Sequence, residues 1–96
     1  MLISPVQKQV NELIDLCDDE LDQLHRPGSF HQEEDHLSFI LEGLKKYRKY
    51  IKDLPRHFYL RCLNRRKQKK FHLGIADGLE CIQLDKDYWA VYYFNL

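Results

Sequence analysis

Twelve of the fifteen Lys and Arg residues fall in one stretch, Leu41 to Phe71, LEGLKKYRKYIKDLPRHFYLRCLNRRKQKKF, which holds only two acids, Glu42 and Asp53. At this density the general chemistry of these side chains is the holding of anions. An ammonium group meets a phosphate oxygen as a point charge, and a guanidinium grips two oxygens at once. Lys45, Lys49 and Lys52 recur at helical steps of four and three. Arg56 and Arg61 follow, and then Arg65, Arg66, Lys67, Lys69 and Lys70 of the RRKQKK run. Tyr47, Tyr50 and Tyr59 lie among them, where aromatic rings can stack on unpaired bases. These ten cations are the candidate nucleic-acid-binding residues. Two blander readings stand beside that one: a solvated face that keeps the domain soluble, and a site for an acidic protein.

Other chemistry is poorly supplied. His31 and His36 are five residues apart, which splits them across a helix, unlike the four-residue spacing of HExxH. His31 and Asp35 share a face but offer only two ligands, and His25, His57 and His72 are isolated, so no metal site is expected. The carboxylates of Glu33 and Glu34 are adjacent and point apart on a helix. The chain has no nucleophile elbow, no P-loop and no GxGxxG, and its four glycines are spread out. The expectation is a non-enzymatic protein with no cofactor and no small-molecule substrate. Cys17, Cys62 and Cys81 are odd in number and contain no CxxC pair, which argues against a disulfide framework or a zinc knuckle. Each sits in an apolar pattern and reads as a small core hydrophobe, consistent with a reducing, cytoplasmic setting. No apolar run approaches the roughly 18 residues of a spanning helix, and polar residues begin by Gln7, so no membrane association or signal peptide is expected.

The formal net charge of zero hides a strong polarity. Residues 1–40 carry two bases against nine acids, residues 41–70 twelve against two, and residues 71–96 one against four. Such a chain attracts anions with its middle and cations with its ends. This motivates a second candidate surface, for a protein partner or a second copy of the chain. Glu12, Asp15, Asp19 and Asp22 step by three, four and three, opposite the apolar stripe of their helix. Trp89 and Tyr93 belong to a C-terminal segment that is apolar on both faces when read as a strand. The protein-directed reading is an adaptor or inhibitor that uses these six residues.

The elements that must position these groups can be read from periodicity. Ninety-six residues and 44% hydrophobic content indicate one folded domain, residues 1–96. Residues 4–25 are expected as an amphipathic helix with Ser4 as N-cap and Pro5 in the first turn. Its apolar stripe is Val6, Val10, Leu13, Cys17, Leu21 and Leu24. Arg26-Pro27-Gly28 stops it. Residues 30–53 are expected as one long helix, capped by Ser29, acidic at its start and basic at its end. Leu37, Ile40, Leu41, Leu44 and Ile51 make its apolar face, and Gly43 marks a place of close packing. Residues 55–68 read as a short basic helix with Phe58, Tyr59, Cys62 and Leu63 on one face. Residues 71–96 read as a three-stranded antiparallel meander, from the alternation of Phe71, Leu73 and Ile75 and from the Asp77-Gly78 hairpin signal. The fold class expected is therefore α+β: a helical hairpin, a short basic third helix and a C-terminal sheet. Its order of elements resembles that of a winged helix, with residues 55–68 as recognition helix and 71–84 as wing. Two features depart from that pattern: the second helix is longer than the motif needs, and the expected wing tip carries Asp77.

Overall fold

The computed structural model describes residues 4–23 and 29–87. Four α-helices account for most of them: α1 (Pro5–Gln23), α2 (Phe30–Ser38), α3 (Leu54–Lys67) and α4 (Phe71–Leu84). A π turn (Phe39–Gly43) and a 3₁₀ segment (Lys45–Tyr50) continue from α2. The chain divides into two compact units, Met1–Lys52 and Asp53–Leu96. None of the described helices is long and apolar enough to cross a membrane.

In the first unit, α1 begins where its sequence says it should. Pro5 opens the helix, and the backbone N–H of Gln7 donates to Ser4 Oγ at 3.1 Å. That bond satisfies one of the amide groups a helix start leaves over. The buried stripe includes Val10 and Ile14 on α1, with Leu37, Ile40, Leu41 and Leu44 from the second helical region. Two polar contacts join its segments. Gln7 Nε2 donates to the Tyr50 carbonyl at 2.6 Å, and His36 Nε2 pairs with the Glu20 carboxylate.

The long helix expected over residues 30–53 is interrupted. The α-helical pattern stops at Ser38, and the Leu44 N–H reaches back five residues to the Phe39 carbonyl at 3.0 Å. It then tightens: Tyr47 N–H bonds to Leu44 O and Ile51 N–H to Arg48 O, each three residues back. Gly43 lies inside the widened turn, and a Cβ there would stand 3.1 Å from the Phe39 ring. The close packing expected at Gly43 is thus supplied from within its own turn. Glycine also has low helix propensity, and the following KKYRKY places like charges at Lys45 and Lys49, four apart, which opposes a continuing α-helix. Arg48 compensates for the altered hydrogen bonding by donating from Nη2 to the Leu41 carbonyl at 2.8 Å.

The second unit corrects the α+β expectation. Residues 71–84 form a helix where strands and the Asp77-Gly78 hairpin were expected, and no described residue lies in a strand. The remainder of the expected meander, residues 88–96, falls outside the described residues. The winged-helix order loses its wing with it. Two forces override the apolar alternation of Phe71, Leu73 and Ile75. Leu73, Ala76, Leu79, Glu80, Gln83 and Leu84 are good helix formers, and β-branched side chains occur only at Ile75 and Ile82. Tertiary contacts then favour the helix: Gly74, Asp77, Gly78 and Cys81, at steps of three, one and three, are buried along one helical stripe.

That stripe packs against α3 as an antiparallel hairpin. A Cβ on Gly74 would come within 3.3 Å of the Cys62 carbonyl oxygen, so the glycine sets how closely the helices approach. At the centre, Arg61 holds Asp77 bidentately, Nε to Oδ2 at 3.0 Å and Nη2 to Oδ1 at 2.7 Å. Arg65, one turn on, donates from Nη1 to the same Oδ2 at 3.0 Å. Side-chain exposures of 5% for Arg61, 3% for Asp77 and 14% for Arg65 make this an interior ion cluster, not a surface pair. Breaking such a cluster is costly because the survivors remain buried and charged.

Candidate nucleic-acid interface

Most of the cations that remain accessible in the second unit gather where α3 ends, with Arg56 and Lys86 apart from them. Its last turn carries Arg65, Arg66 and Lys67. Three backbone bonds close it: Gln68 N–H to Asn64 O, Lys69 N–H to Arg66 O at 2.9 Å and Lys70 N–H to Arg65 O at 2.8 Å. The last two are the 5→2 and 6→1 bonds of a Schellman motif, which requires a left-handed residue between them. That residue is Lys69, with φ 63°. Glycine is the usual occupant, since a Cβ in this conformation costs roughly 1 kcal/mol. The Asn64 side chain accepts from Gln68 Nε2 at 2.6 Å and braces the turn from within. Arg66, Lys67 and Lys69 are exposed and Lys70 is half-buried. A hydrogen-bonded turn therefore presents four cations in five residues.

The other sequence candidates separate. Lys45, Lys49 and Lys52 are exposed but belong to the first unit, where Lys49 Nζ sits 5.1 Å from the Tyr50 ring centroid. Arg56 is exposed on α3. Arg61 and Arg65 are drawn inward by Asp77, and Arg61 also stacks over Phe58 at 5.8 Å. Their spacing carried that signal: two arginines four apart share a helical face and converge on one acid. A local reading of the charge run does not locate that acid, because Asp77 reads as a turn residue.

On the proposed protein-binding side, Glu12, Asp15 and Asp19 are exposed on α1. Asp22 lies in the last turn of α1 with its side chain outside the described set, and Trp89 and Tyr93 lie outside the described residues. One feature that sequence reading missed is the outer surface of α4, where Phe71, Leu73, Ile75, Leu79 and Leu84 are all exposed. Helical spacing applied to residues 71–84 would have found it, by putting the small residues on one seam and the large apolar ones beside it.

The cysteines are poor nucleophiles here. Burial, and then the neighbouring Cys62 and Asp85, push the Cys81 thiol up to about 11. Cys17 is raised by burial and by Glu20 and Asp18. Both therefore stay protonated at neutral pH. Among the described residues no group of three or more His, Cys, Asp or Glu side chains is placed to hold a metal. No protein-family model, curated protein or solved structure matches this chain.

Proposed function

We propose that this chain is a non-enzymatic, nucleic-acid-associated binding protein that holds the phosphate backbone on the cationic turn between α3 and α4. The observation that supports this reading is Lys69. It occupies a left-handed position that glycine would fill at lower cost, and it keeps a charge there between Lys67 and Lys70. Contacts of this type go to phosphates and carry little sequence information, so the ligand is recognised by its backbone. With four cations engaged, the logarithm of affinity should fall with the logarithm of salt at a slope of about −3 to −4.

The test is anisotropy or gel shift with short single- and double-stranded DNA and RNA at ~50 to ~200 mM salt. Replacing Arg66, Lys67 and Lys69 by Glu should weaken binding at least about tenfold for every sequence and flatten the salt slope by about 3. Absence of wild-type binding at ~50 mM salt removes the direct form of the reading. The same substitutions at Lys45, Lys49 and Lys52 report whether the first unit contributes.

A protein-directed role, as adaptor or inhibitor, is the second reading. The exposed apolar residues of α4 favour it, because contiguous apolar surface on a folded unit marks interaction sites. A pull-down with the full chain, with and without nuclease, separates the two. Partners lost on nuclease treatment favour nucleic acid, and partners retained favour protein.

A further inference from the structure

The seam against α3 uses only part of the apolar circumference of α4. Gly74, Asp77, Gly78 and Cys81 fill the seam. At 100° per residue, Phe71, Ile75, Leu79 and Ile82 fall on the adjacent flank within an arc of about 80°. Phe71, Ile75 and Leu79 are exposed and Ile82 is half-buried. From Phe71 to Ile82 the flank runs about 17 Å along the helix.

The flank has an order that reverses onto itself. Ile75 and Leu79 stand two residues either side of Asp77, and Phe71 and Ile82 stand six before and five after it. A second α4 laid antiparallel about that midpoint sets Ile75 against Leu79 and Phe71 against Ile82, twice over. The charges at the two ends follow the same rule. The N-terminal end abuts Lys69 and Lys70, and the C-terminal end runs into Asp85 and Asp87. These signs are unfavourable for α4 taken alone, which has no acid in its first turn and no base in its last. An antiparallel copy brings carboxylates to the positive end of the helix and to its lysines, and lysines to the negative end. A lipid surface would leave this match between the two ends of the helix unused.

We propose that the Phe71–Ile75–Leu79–Ile82 flank of α4 is the two-fold interface of a homodimer, with the α4 helices of two copies antiparallel. One helix pair is a small contact, so the dissociation constant is expected on the order of 10 µM. Lys69 serves this interface and the phosphate site alike. The experiment therefore uses the full chain free of nucleic acid and reads mass, not phosphate binding, so either proposal can fail without the other.

Sedimentation or light scattering from about 1 to about 200 µM should show a reversible monomer–dimer equilibrium. Leu79→Glu should weaken it roughly a hundredfold, tenfold for each symmetry-related leucine, with far-UV circular dichroism unchanged. Register is tested by a charge swap. A Lys69→Glu/Lys70→Glu copy and an Asp85→Lys/Asp87→Lys copy should each self-associate at least about tenfold more weakly than wild type. Mixed together, they should pair to within about threefold of wild type, since every contact between unlike copies is again attractive. Three results overturn the proposal: a wild-type chain monomeric throughout, a dimer indifferent to Leu79→Glu, or a mixture that fails to pair. A monomeric chain that floats with phosphatidylserine vesicles assigns the flank to lipid instead.

Discussion

In the first unit the core is built of large aliphatic side chains: Val10, Ile14, Leu37, Ile40, Leu41 and Leu44 are buried, while Leu13 and Leu16 of α1 are exposed. The α3–α4 hairpin buries Phe58 and Cys62 on α3, but on α4 the arrangement is reversed. The face of α4 that meets α3 is Gly74, Asp77, Gly78 and Cys81, while Phe71, Leu73, Ile75, Leu79 and Leu84 are exposed. The first unit is held by non-directional burial, which tolerates exchange among hydrophobes of similar volume. The hairpin adds to its buried Phe58 a close backbone approach and a directional ion cluster, which tolerate little. The comparison teaches that an interior built of small and charged groups leaves bulky apolar residues on the surface, where they become available for association.

The largest expected effect tests that contrast directly. Asp77→Ala leaves two arginines facing each other in the seam without their carboxylate and should cost about 3–5 kcal/mol. Leu41→Ala in the first unit removes buried aliphatic volume and should cost about 3 kcal/mol. Urea denaturation followed by circular dichroism measures both. A cost below about 1 kcal/mol for Asp77→Ala would break the comparison, since the hairpin would then not depend on its ion cluster.

Lys69→Gly sharpens it at intermediate size. Relief of the left-handed conformation should stabilise the hairpin by about 1 kcal/mol, raising the thermal midpoint by several degrees, even though a side chain is lost. The same variant should bind nucleic acid more weakly. Stability and binding moving in opposite directions is the signature of strain retained for a charge.

The smallest expected effect belongs to the first unit. His36 donates from Nδ1 to the Gln32 carbonyl and from Nε2 to the Glu20 carboxylate, a pairing that only the imidazolium can make in full. The Glu20 hydrogen bond first, and the Gln32 carbonyl second, raise its pKa above the ordinary 6.5. The raised folded value means this stabilisation is fully present below pH 6.5 and is lost as pH rises through the folded pKa. The pair is largely exposed on the Glu20 side, so the contribution is about 0.5 kcal/mol. Comparing wild type with His36→Gln at about pH 5.5 and about pH 9 isolates it.

Local chemistry was legible where it acts locally. The Ser4 cap, the Pro5 start and the place of Val10 in the apolar stripe follow from neighbours in sequence, as does the helix of residues 54–67, whereas Leu13 of the expected stripe is exposed and Ile14 is buried in its stead. The exposure of Arg66, Lys67 and Lys69 agrees with a charge run too dense to be buried. The break after Ser38 was not legible: Gly43 suggested close packing within one continuous helix, and the ring of Phe39 and the five-residue bond from Leu44 decided otherwise.

Residues 71–84 show why the rest was not legible. Their apolar alternation and Asp77-Gly78 are the same letters whether the segment is a hairpin or a helix. Sequence by itself determined the polarised charge, the start of α1 and the cationic turn, since these depend on contacts within a few residues. Only tertiary structure decided that Asp77 would turn inward and that Arg61 and Arg65 would leave the surface to meet it. A buried carboxylate takes its partners from sixteen and twelve residues away, and no window of local pattern spans that distance.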